Sequence, residues 1–277
     1  VPAMSFDDLD PHSQRILQAN DALGNSICEQ EIKNARRAYF ANISYLDHQI
    51  GKLRDVLAAT KMDENTIIIF TADHGDMLGE KGLWYKMSFF EGSARIPLMI
   101  RHPDLRPRTC TDPVSLMDIM PTLCDMVRTE IARDIDGQSL LPQCHGERRE
   151  TPVFMEYCAE ASHAPMVCMR TRDRKFIHTV SDPDLCFHLP SDPHEMDNLA
   201  SSKEAQSMRT HITSQWDMAQ FDDQVRQSQR HRHSIYQALR KGRFTPWDFQ
   251  PQNPAHSRFM RNHMDLNEVE ANARFPK

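Results

Sequence analysis

The chain has 277 residues, with 33 Lys and Arg against 39 Asp and Glu, a formal net charge of −6; 39% of it is hydrophobic and 26% charged. That is an ordinary globular mix, long enough for a sizeable core. No run approaches the roughly 18 unbroken apolar residues that a membrane-spanning helix requires, and with 9 glycines and no repeated tract fibrous and disordered readings fall away.

Seven cysteines (Cys28, Cys110, Cys124, Cys144, Cys158, Cys168, Cys186) are scattered without a C-x-x-C pair. The odd number and the spacing speak against a disulfide framework and against a zinc site. They read as small core residues in a reducing compartment, which places the protein in the cytoplasm. The chain opens at Val1 with neither a basic nor an apolar leader, which reads as a start inside a longer protein.

Charge is segregated. Residues 226–277 hold ten Lys and Arg and four acids, a net +6, and the first 225 residues carry −12. Docking of this tail on the acidic body or on a neighbouring subunit needs no third partner, and a homo-oligomer joined through the tail is expected. No basic-aromatic motif accompanies the charge, so no nucleic-acid partner is expected.

In chain order, residues 1–30 read as polar and irregular, with Asp10-Pro11 as a turn. Tyr39, Ile43, Leu46, Ile50, Leu53 and Leu57 then recur at spacings of 4, 3, 4, 3 and 4, the apolar stripe of a helix from Glu31 to about Ala59. Residues 61–65 break it. The unalternating run at 66–71 (TIIIFT) predicts a strand buried on both faces, as in a parallel sheet covered by helices. A second such strand is expected at 96–100 and a helix at 115–127, kinked by Pro121. This alternation is that of an α/β domain.

Beyond residue 150 the pattern changes to short strands at 153–155, 166–169 and 175–178, with a tight turn at Asp173-Arg174, predicting a small antiparallel sheet. A polar helix from about Lys203 to His231 follows, with Arg230-His231-Arg232-His233 as its solvated end. The tail, with Pro246, Pro251 and Pro254, is expected to run extended to a short helix at 262–273.

Chemistry concentrates at the carboxyl end of the Ile-rich strand, where ligand sites of open α/β sheets gather. Asp73-His74-Gly75-Asp76 offers a carboxylate and an imidazole to a divalent cation; the same residues also suit a solvated, helix-capping turn. Lys86, thirteen residues after Asp73, either binds an anionic group of a substrate or lays its stem on Trp84 with the charge in water. Together they describe a site for hydrolysing a sulfate or phosphate ester. His12, His48, His102, His145 and His211 lack ligand spacing and read as ordinary surface or core residues.

These residues carry a resemblance. Asp73-His74-Gly75-Asp76 followed by Gly79-Glu80-Lys81-Gly82-Leu83-Trp84-Tyr85-Lys86 resembles the second metal motif of the sulfatases, in the alkaline-phosphatase-like superfamily. Leu185 to Leu189, Asp192-Pro193-His194-Glu195 and Asn198-Leu199 look like that family's later LYDL, DPxE and NL motifs. Tyr236 to Arg240, Thr245 to Asp248 and Met260 to Leu266 are similar to the C-terminal extension of choline sulfatases.

The resemblance implies a partial sulfatase fold, its C-terminal half. Residues 1–150 would be the end of the α/β catalytic domain, 151–232 a small antiparallel sheet-and-helix subdomain, and 233–277 the extended tail. It implies that Asp73 and His74 ligate a calcium-type ion and that Lys86 binds the sulfate and neutralises charge on the bridging oxygen. It also implies a formylglycine nucleophile, made from Cys or Ser in a C/S-x-P-x-R motif. No stretch of these 277 residues has that motif, and the first metal motif of the family, an Asp-Asp pair near its amino terminus, is expected to be missing as well. The chain is therefore expected to be inactive alone.

For a quaternary ammonium substrate such as choline sulfate, an aromatic face and a carboxylate are needed. Trp247 and Asp265 are the candidates, Asp265 serving equally as a helix cap. Two rival readings remain: a phosphate or phosphonate monoester hydrolase of the same superfamily, and a non-catalytic assembly fragment.

Overall fold

The computed structural model describes residues 4–20, 22, 27–131 and 134–242. Helix α1 (Pro11–Ala19) begins where a turn was expected. Asp10 is its N-cap, accepting from the Ser13 N–H, and Pro11 occupies the first helical position, where its missing N–H costs nothing. The long helix α2 (Glu29–Ala59) starts two residues before the expected boundary.

Strand β1 (Ile68–Thr71) leads to the short hairpin of β2 (Met77–Leu78) and β3 (Trp84–Tyr85), then to the one-turn helix α3 (Glu91–Ala94) and strand β4 (Leu98–Arg101). β1 and β4 pair antiparallel, Ile68 opposite Arg101 and Thr71 opposite Leu98. This corrects the parallel arrangement expected from the apolar run. Such a run reports that both faces suit an apolar cover, and it carries no information on strand direction. Nor is β1 fully covered: all four of its residues are only half-buried.

A 3-10 turn (Leu116–Asp118) leads into α4 (Ile119–Val127). Pro121 does not kink it, because it lies in the first turn, where no intrahelical donor is lost. After α5 (Leu141–His145) come β5 (Val153–Tyr157), β6 (Met166–Arg170), β7 (Arg174–Thr179) and β8 (Leu185–His188), a four-stranded antiparallel sheet in sequence order. The expected strands are all present, and β8 is additional.

The single polar helix expected at 203–231 is two helices, α6 (Lys203–Gln215) and α7 (Met218–Arg240). They separate at Trp216, which packs on Phe154, and Asp217, which caps α7 by accepting from the Gln220 N–H. The Arg230–His233 run therefore lies inside a helix, not at its end. The tail beyond residue 242, with Trp247, Asp265 and the expected helix at 262–273, lies outside the described residues.

The antiparallel sheet organises the core through its two-residue period. Val167, Met169 and Phe176 face α6, packing with Ala205, Met208 and Ile212. Cys168 and Ile177 face the other way, against Phe89. A third cluster joins Ile16 of α1, Met77, Leu83 and Phe90 to Phe187 and Leu189. The loops around β2, β3 and α3 are thus seated on the sheet's second face. Of the seven thiols only Cys168 and Cys186 are buried, so the expectation that most are core residues does not hold.

In contrast, α2 buries no residue fully, and Phe40, Ile43, Leu46, Leu53 and Val56 are exposed. Met120, Leu123 and Val127 of α4 are exposed as well. No helix among the described residues is long and apolar enough to cross a membrane.

Candidate active site

β1 ends at Thr71 and delivers Asp73 and His74 onto a loop. The chain then turns sharply into the β2–β3 hairpin, which reverses it so that Met77 faces Tyr85. The reversal uses Gly79 at φ +95° and Gly82 at φ +78°, backbone conformations natural to glycine. The result is that Lys86 returns beside the doublet.

His74 Nδ1 lies 2.8 Å from the carbonyl oxygen of Gly75. A carbonyl only accepts, so Nδ1 carries the proton and Nε2 presents its lone pair. That Nε2 stands 2.9 Å from Lys86 Nζ and 3.4 Å from Asp73 Oδ2. The three side chains named from the sequence therefore lie together, with the Asp73 side chain 85% exposed. The His74 N–H donates to Asp73 Oδ1, and this bond holds the Asp73 carboxyl below its ordinary pKa.

Asp73 can offer an oxygen to a cation and Lys86 an ammonium to an anion; the one lone pair of His74, at Nε2, accepts from Lys86 here, so His74 becomes a metal ligand only when Lys86 turns from it to the anion. It does not by itself enclose an ion. Among the described residues no group of three or more His, Cys, Asp or Glu could hold a metal, whereas a calcium ion takes about 6–8 oxygens. The chain's own donors fit a metal only as part of a larger set.

Neighbouring elements fix the loop. Tyr39 of α2 donates to Asp76 Oδ2 at 3.1 Å, and its phenol is raised in pKa by burial and by that carboxylate. Arg36 Nε donates to the Leu78 carbonyl at 3.0 Å. A Cβ on Gly75 would sit 2.2 Å from the Gly92 carbonyl oxygen, so the two segments touch backbone to backbone. The Gly75 N–H donates to the Ser93 carbonyl at 2.7 Å, and the Ser93 hydroxyl donates to the Lys86 carbonyl. From α1, His12 Nε2 lies 2.7 Å from the Met87 carbonyl. His12, read from the sequence as ordinary, is thus a buried brace for the Lys86 segment.

Sequence reasoning missed Ser93, Glu91 and Lys175. No spacing marks a serine whose carbonyl and hydroxyl bridge two loops. Glu195 was inside the quoted DPxE motif but was given no role.

Comparison with known proteins follows the same lines. Residues 8–129 match the family described as Sulfatase, residues 79–222 the family N-sulphoglucosamine sulphohydrolase, C-terminal, and residues 223–275 Choline sulfatase enzyme C terminal. The Choline-sulfatase of Rhizobium meliloti (strain 1021) is 45% identical over 287 aligned positions, covering 100% of this chain and 56% of that protein. Arylsulfatase K of Gallus gallus is 34% identical, covering 62% of this chain and 35% of its own. The chain thus spans about half, or less, of the length of these relatives. Among solved structures, the phosphonate monoester hydrolase SpPMH from Silicibacter pomeroyi superposes with a TM-score of 0.65 at 25% identity, over 84% of this chain and 50% of that one. The chain belongs to the sulfatase family of the alkaline-phosphatase-like superfamily, has part of the sulfatase fold, and is a homologue of choline sulfatase.

Proposed function

We propose that this chain carries the sulfate-binding end of an enzyme that hydrolyses choline sulfate to choline and sulfate. The observation that carries the reading is the convergence of Lys86 Nζ and the Asp73–His74 doublet on one point. In this role the Lys86 ammonium binds a sulfate oxygen and stabilises the negative charge that grows on the ester's bridging oxygen. Asp73 and His74 are two of the ligands of a divalent ion, of calcium type by the resemblance to sulfatases. When bound, such an ion polarises the ester.

Sulfatases typically use a metal ion and a formylglycine. Since no C/S-x-P-x-R motif occurs in these 277 residues, the nucleophile and the remaining ligands would be supplied from outside them. We assign residues 1–150 to the end of the catalytic α/β domain, 151–232 to the antiparallel subdomain and 233–277 to a choline-sulfatase-type C-terminal extension. The exposed apolar face of α2 and the unpaired outer edges of β1 and β4 among the described residues support a larger domain. By the same reading this chain alone is inactive, and the tail joins subunits of a homo-oligomer.

A phosphonate or phosphate monoester hydrolase is the second reading, favoured by the likeness to the Silicibacter pomeroyi enzyme. Turnover of choline sulfate against a phosphate and a phosphonate monoester by the full-length protein separates the two. Preference for the sulfate supports the proposal, and preference for either phosphorus ester replaces it. Turnover of none, with metal supplied, favours the assembly fragment.

A further inference from the structure

Glu195 and Lys175 take no part in the chemistry just proposed, yet their side chains are only 3% and 1% exposed. Burial strips both charges of water, and a well-packed apolar pair would often serve stability as well. What the pair grips is therefore informative. Lys175 Nζ donates to Glu195 Oε1 at 2.7 Å, to the Phe89 carbonyl at 2.6 Å, and lies 2.8 Å from Glu91 Oε1. Glu195 Oε2 accepts from the Glu91 N–H at 2.7 Å. Its carbonyl accepts from the buried amine of Lys81. Glu195 and Lys81 both have left-handed backbones, at φ 57° and 54°, a conformation that non-glycine residues keep where their surroundings over-determine it.

The pair thus clamps residues 89–91. Two residues on, the same turn carries Ser93, whose carbonyl receives the Gly75 N–H and whose hydroxyl reaches the Lys86 carbonyl. One short turn therefore ties the buried carboxylate to both segments of the candidate site.

We propose that Glu195 is a positioning residue: acting through the 89–93 turn and Ser93, it sets the placement of the Lys86 amine against the Asp73–His74 doublet. This rests on the hydrolase reading above. The test is a double-mutant analysis of choline sulfate hydrolysis by the full-length protein, using Glu195→Gln, Ser93→Ala, Lys86→Ala and the two combinations with Lys86→Ala. Misplacing a transition-state contact costs about ten- to a hundredfold, so Glu195→Gln and Ser93→Ala should each lower kcat by about that factor. KM should move less, and the cooperative melt should be retained.

The deciding readout is non-additivity: on the Lys86→Ala background both losses should vanish. A purely structural role predicts losses that multiply. Multiplying losses, or unchanged kcat in the single variants, overturn the inference. Lys86→Ala with full activity instead overturns the hydrolase reading itself. Where Glu195→Gln does not fold, Ser93→Ala, which removes one hydroxyl, decides the matter alone.

Discussion

His74 Nε2 lies 2.9 Å from Lys86 Nζ, and the Gly75 carbonyl opposite Nδ1 fixes which nitrogen faces the amine. The imidazole is therefore held in the Nδ1-protonated tautomer. Long-range 1H–15N NMR of the histidine rings should show this form for His74, and Lys86→Ala should leave it unchanged because the carbonyl sets it. An Nε2-protonated ring would mean that the amine is not facing a lone pair.

Gly75 has no room for a side chain. In Gly75→Ala the new methyl would meet the Gly92 carbonyl oxygen, forcing the two loops apart at a cost of about 1–3 kcal/mol. Thermal unfolding should register that loss, and activity of the full-length protein should fall with it. An unshifted melting temperature would show that the loops do not touch.

Glu91 gives the chain a definite acid response. Burial alone would raise its carboxyl, but Lys175, Arg170 and Arg95 overcome burial and hold the pKa below the ordinary value of 4.5. A depressed folded pKa means the ionised group stabilises the fold fully above the unfolded value, and that this contribution disappears as pH falls through the folded one. Glu91→Gln should therefore flatten the decline in stability below pH 4.5, as read by urea unfolding across that range. An unchanged slope would show that Glu91 is not ion-paired.

The uncovered face of α2 separates two states of the chain. Leu53 is 66% exposed, so Leu53→Lys should change the stability of this chain by no more than about 0.5 kcal/mol. In the full-length protein, where we propose that face is covered, the same change should cost several-fold more, because it buries an unpaired charge. Equal effects in both would mean the face stays in water.

How much of this was legible in the sequence depends on the range of the interaction. The stripe from Tyr39 to Leu57 located α2 within two residues, since helical period is local. It could not show that the stripe has no cover here, because cover is supplied by other segments. The runs at 66–71 and 96–100 located β1 and β4 but not their antiparallel pairing; strand direction is set by connections, not by composition. α1 was missed because Asp10-Pro11 serves a turn or a helix start equally well.

At the site, Asp73, His74 and Lys86 were readable because they are titratable groups near one strand end. The brace behind them was not: Ser93 and Glu91 act through both backbone and side-chain groups on segments distant in the chain, and Lys175 and Glu195 meet across 20 residues of chain inside the protein. Those contacts are visible only in three dimensions.

The central claim is that the Lys86 ammonium binds and stabilises a sulfate ester beside Asp73 and His74. Steady-state hydrolysis of choline sulfate by the full-length protein carrying Lys86→Ala tests it most directly. In that variant kcat/KM should fall about 100- to 1000-fold with an unchanged melting temperature. A variant that folds and turns over choline sulfate at the unmodified rate would contradict it.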